Sequence, residues 1–220
     1  MKKRMISLSL ALCLAFSLMT LSVGAANSTE PSGTLTEDDI RHVDIIFNGN
    51  AHVVDENGID ITDSFISEND DLYQSGNYDS IIDCLIDQNL AIETEALPSP
   101  PQTRLVVNGS VNSPSIIKCF KSPLTGTTTH EWIQFYFKGH YRVNDYSNTI
   151  DSGVKVTGYT TAKSSSSLTK ACGITSSSWK ISNNNKTITF TVKYSARIFT
   201  SPYVVADEQN GTTVFSKTLS

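Results

Sequence analysis

Positive charge is what residues 26–103 of this chain lack. Between residues 26 and 103 stand seventeen Asp and Glu and a single base, Arg41. Residues 104–220 reverse the balance, with thirteen Lys and Arg against Glu131, Asp145, Asp151, Asp207 and Glu208. The overall net charge of −5 conceals both. Cysteine is sparse: Cys13 falls in the N-terminal leader, and only Cys84, Cys119 and Cys172 follow it. That excludes a small scaffold held by a dense disulfide framework. No H-E-x-x-H, H-x-x-x-H, Walker loop or G-x-S-x-G occurs, so the zinc-hydrolase, phosphate-loop and serine-hydrolase signatures are missing. An EF-hand frame around Gly58 fails as well, because Val53 and Ser64 stand at the first and twelfth positions. No metal site and no cofactor is expected, and no catalytic residue is assigned.

The chain opens MKKRMISLSLALCLAFSLMTLSVGAANS. Lys2, Lys3 and Arg4 precede an apolar stretch that ends in the small residues Gly24 and Ala25. This stretch resembles the Sec signal peptides of Gram-positive bacteria. The resemblance implies cleavage of residues 1–25 and a secreted, extracellular or cell-surface product. No later apolar run would hold that product in a membrane.

"LPSPPQT", residues 97–103, places three prolines at the point where the charge reverses, and such a run favours a semi-rigid, extended chain. The expected fold is therefore α+β overall. A small, mainly helical acidic region covers residues 26–96, a Pro-rich linker covers 97–103, and an all-β antiparallel sandwich or barrel covers 104–220. In the acidic region, Tyr78, Ile81, Ile82 and Leu85 recur at helical spacing after Asn77, a suitable N-cap. A weaker helix is expected from Asp63 to Tyr73. "TEDDIRHVDIIF" begins like a capping box, yet "DIIFNGNAHVV" also reads as a hairpin, and both readings stay open here.

The basic region changes to period two. Ile133, Phe135, Phe137, Tyr141 and Val143 share one face of "HEWIQFYFKGHYRVN". Trp132, Gln134, Tyr136, Lys138, His140 and Arg142 share the other, with Gly139 marking a bulge or a close backbone approach. Ile188, Phe190, Val192 and Tyr194 alternate likewise. "SWKISNNNKT" reads as a hairpin turning at Asn183 to Asn185, and further short strands are expected on either side of Asn210-Gly211. His130 and His140 lie about 33 Å apart on an unbroken strand at 3.3 Å per residue, too far to share a metal.

Trp132, Tyr136, Lys138, His140 and Arg142 form the candidate ligand-binding face. Cys119 and Cys172 are the expected disulfide, which would be worth about 4 kcal/mol through the loop it closes. Basic side chains interleaved with aromatics suit an anionic or carbohydrate surface such as the bacterial cell wall. Nucleic acid would use the same interleaving of cations and aromatics, but it is disfavoured against a face that packs on the acidic half or is ordinary amphipathic surface. A non-catalytic secreted binding protein is thus the expectation. One alternative is a pro-protein, with the acidic half contacting and masking a basic toxin or antimicrobial domain. Another is a hydrolase whose Cys, Asp and His side chains converge in a cleft.

Overall fold

The computed structural model describes residues 35–98, 108–124, 130–144, 146–160, 168–201 and 204–220. The expected leader and most of the 97–103 linker lie outside them. Helix α1 spans Glu37–Phe47. Its start is fixed reciprocally: the Asp39 amide donates to the Thr36 hydroxyl at 3.1 Å, and the Thr36 amide donates to the Asp39 carboxylate at 2.8 Å. Asn48 and Gly49, the latter at φ +71°, end the helix and turn the chain into strand β1, His52–Val54. Of the two readings of this stretch, helix prevails. Helices α2, Thr62–Gln74, and α3, Tyr78–Asp87, follow. The Asn77 side chain caps α3, and Ile81, Ile82 and Leu85 are buried, as the spacing implies. Strand β2, Ala91–Thr94, then pairs antiparallel with β1.

The remaining strands are β3 Asn108–Asn112, β4 Ser115–Lys121, β5 His130–Asn144, β6 Thr149–Thr160, β7 Thr169–Ser182, β8 Thr187–Ser201 and β9 Val204–Thr218. Strands β1, β2, β4, β5 and β3 run in that order in one antiparallel sheet, and β6 takes the other edge of β5. Strands β7, β8 and β9 form a second, three-stranded sheet. Both sheets contribute to one core: Ile116, Phe120, Ile133, Phe135, Phe137 and Tyr141 from the first meet Ile188, Phe190, Val192, Tyr194 and Ile198 from the second. The sheets therefore pack face to face, and neither closes into a barrel. Of the predicted inward positions of β5 and β8 all are buried except Val143, which is half-buried, and each fully buried side chain contributes roughly 1.5–3 kcal/mol. Gly139 serves close approach, since a Cβ there would lie 2.6 Å from the Phe190 ring. The register shift against β6 falls just beyond it, between His140 and Tyr141.

A second core lies on the other side of the larger sheet. Val43, Ile46, Ile81, Ile82 and Leu85 of the helices pack on Val53, Ile92, Ile117 and Cys119. This corrects the expectation of separate acidic and basic folding units. Strand β2 pairs with β4, Ile92 opposite Ile117, and residues 33–220 form one compact unit. Charge sign is a property of the surface and left the shared apolar interior unannounced.

Two further expectations are corrected. Cys119 and Cys172 are not bridged. Cys119 points into the helix-side core, whereas Cys172 packs against the core between the sheets, so the larger sheet separates the two thiols. Asn210-Gly211 is not a turn either. Strand β9 runs straight through it, and Gly211 is required because a Cβ would fall within 3 Å of the Tyr194 ring.

Candidate functional site

The even-numbered side chains of β5 point away from the core between the sheets, and α1 covers one end of the row. Trp132 Nε1 donates to Asp39 Oδ1 at 2.7 Å, and its ring lies 4.3 Å from that of His42. His130 Nδ1 is 3.4 Å from the same carboxylate oxygen. Burial alone would raise the Asp39 carboxyl, but hydrogen bonds from His130, Thr36 and Trp132 outweigh it and hold the group at about 2. Burial, helped by the Arg41 charge, lowers His42 to about 4. Trp132 is thus a helix–sheet contact and leaves the candidate ligand face. Cys119 stands across from it in β4. Burial pushes that thiol well above its ordinary range, which removes it as a nucleophile for His130.

Tyr136, Lys138, His140 and Arg142 stay together on the part of the sheet built by β3, β5 and β6. Three residues of β6 join them. Tyr159 lies opposite Tyr136, Thr157 opposite Lys138, and Lys155 opposite His140. The Tyr136 and Tyr159 rings stack at 5.1 Å and 14°, which uses one face of each. Lys138 Nζ sits over the Tyr159 ring, 5.6 Å from its centroid. The Thr157 hydroxyl is 3.4 Å from His140 Nε2 and donates to Tyr159 Oη at 3.3 Å. From β3, Asn108, Ser110 and Asn112 stand opposite Arg142, His140 and Lys138. Among the described residues, no carboxylate forms a salt bridge with Lys138, Arg142 or Lys155. Partial burial, with Lys155 and Lys138 adding to it, lowers the His140 pKa, so its ring is neutral near pH 7. The arrangement can hold an anion through two lysines, an arginine, hydroxyls and amides.

The sequence reading missed Lys155, Thr157 and Tyr159. Their alternation in "GVKVTGYTT" was visible, but the pairing register that sets them beside β5 was not.

A second polar cluster borders a cleft of about 280 Å³ lined by Gly49, Asn50, His52, Glu93, Thr94, Glu95, Ala96 and Pro114. His52 stands opposite Glu93 across β1 and β2, and its Nδ1 is 3.0 Å from Asp60 Oδ2. Burial raises the Glu93 carboxyl, against the Thr213 hydroxyl and the His52 charge, which pull it down. Hydrogen bonds from Thr62 lower Asp60. Among the described residues, no group of three or more His, Cys, Asp or Glu is placed to hold a metal ion, and no helix is long and apolar enough to cross a membrane. No family model, curated protein or solved structure matches this chain.

Proposed function

We propose that this is a secreted, non-catalytic binding protein whose β3–β5–β6 face takes an extended polyanion, such as an anionic polymer of the bacterial cell wall. The observation that carries the reading is the gathering of Lys138, Arg142 and Lys155 on one open face with no carboxylate paired to them among the described residues. Uncompensated cations on a sheet attract repeated negative charge and release its counterions. The tyrosines favour an anion over a stacked sugar or base, because their rings already stack on each other and Lys138 sits over Tyr159. The pro-segment alternative fares worse. Removing the acidic portion would strip β2 from β4 and bare Ile117, Cys119 and Trp132. Sedimentation with purified walls tests the reading: the chain should co-sediment at low salt, and joint replacement of Lys138 and Arg142 by Ala should weaken that binding severalfold. Wild-type chain that stays in the supernatant contradicts it.

The His52–Asp60 pair beside Glu93 supports a second reading, general acid–base hydrolysis in the cleft. There Asp60 would orient His52 as the base and Glu93 would be the proton donor. Turnover of chromogenic esters or glycosides that disappears in both His52→Ala and Glu93→Gln would favour it. Turnover unchanged in these variants, or none at all, would remove it.

A further inference from the structure

His140 occupies the middle of the cationic face. Lys138 and Arg142 flank it along β5, two residues away on either side, and Lys155 stands opposite on β6. On the β3 side its neighbour is Ser110, and its Nε2 is 3.4 Å from the Thr157 hydroxyl. Every charged group that faces it among the described residues is therefore a cation, and no carboxylate stands ready to favour its charged form. A bound polyanion would change this. It would neutralise Lys138, Lys155 and Arg142 and set negative charge beside the imidazole.

We propose that polyanion binding at this face is coupled to proton uptake by His140, so that the protein grips its ligand more tightly as the surroundings acidify. The inference rests on the polyanion reading above and adds its regulation. Linkage makes the coupling reciprocal: a ligand that favours the protonated ring is itself bound better when the ring is protonated. Lys138, Arg142 and Lys155 supply affinity at pH 7.5, where His140 is neutral and contributes only its hydrogen bond. On acidification the ring joins them as a fourth cation. Each unit by which the ligand raises the His140 pKa corresponds to about a tenfold gain in affinity at low pH. The other three histidines lie elsewhere. His42 and His130 are buried against Asp39 and Trp132, and His52 pairs with Asp60 beside the cleft.

Long-chain inorganic polyphosphate is a suitable probe, because its internal phosphates keep their charge between pH 5.5 and 7.5. Titration calorimetry of the full chain should show affinity rising roughly three- to tenfold from pH 7.5 to 5.5. At pH 6 the observed heat should change with the ionisation enthalpy of the buffer in the sense of proton uptake. His140→Gln should lose most of the pH dependence. Circular dichroism of that variant should match the wild type. Binding that is equal at both pH values, or a pH dependence that His140→Gln retains, overturns the coupling and leaves the polyanion reading standing. No binding at either pH in low salt overturns both.

Discussion

Asp39 accepts hydrogen bonds from Thr36 at the start of α1 and from Trp132 on β5, so one carboxylate caps a helix and fastens it to the sheet. His42 lies tilted against the same indole, and its Nδ1 has no hydrogen-bond partner among the described residues. Both groups tie stability to pH. Folded His42 stays neutral down to about pH 4, whereas in the unfolded chain it takes a proton near 6.5. As pH falls the unfolded state binds that proton first, so the His42 contribution is full above 6.5 and is lost towards 4. Asp39 adds a second loss between 3.8 and about 2, since its folded form resists protonation. The urea midpoint should therefore decline on acidification from pH 6.5 to 4. His42→Phe keeps a ring on Trp132 and should shrink this decline while sparing the loss below pH 3.8. An undiminished slope would show that His42 does not set it. Gly139 is a second sensitive residue. Its Ala variant must push against the Phe190 ring and should lose about 1–3 kcal/mol in denaturant unfolding.

At the scale of elements, α3 packs Ile81, Ile82 and Leu85 into the core between the helices and the sheet. Ile82→Ala empties a fully buried position on it and should cost about 2–5 kcal/mol, read from chemical denaturation. Thiol labelling of the folded chain should modify Cys84, on the partly open flank of α3, well before Cys119, which reacts only after unfolding. Simultaneous labelling would contradict this layering. Strand β5, strand β8 and helix α3 were legible because each is long and carries one clean period, as Ile133–Phe135–Phe137 and Tyr78–Ile81–Ile82–Leu85 show. Strands β1 and β2 were not, since three or four residues such as "HVV" and "AIET" are too short for any period to register. Of the candidate face, the β5 residues could be read and the β6 residues could not, because cross-strand register depends on contacts remote in sequence. Trp132 was misplaced for a related reason. Its parity is correct, but only the docking of α1 reveals that this end of the face is covered. Asn210-Gly211 misled because glycine meets two different needs, a turn or room for an opposing ring, and here the Tyr194 ring decides.

For the whole molecule, the pairing of β2 with β4 joins acidic and basic portions into one cooperative body with a core on each side of the larger sheet. Thermal unfolding followed by far-UV and near-UV circular dichroism should give a single coincident transition. Two separated transitions would restore the picture of independent halves. Charge segregation then places acidic helices over one part of the sheet's outer face and leaves Lys138, Arg142 and Lys155 uncovered on another. The most direct measurement of that face is the salt dependence of polyphosphate affinity at pH 7.5. Three neutralised cations should give a plot of log affinity against log salt with a slope of about −2. The Lys138→Ala, Arg142→Ala, Lys155→Ala triple variant should bind far more weakly, with a slope near zero. No wild-type binding at low salt, or a triple variant with unchanged affinity and slope, would contradict the account.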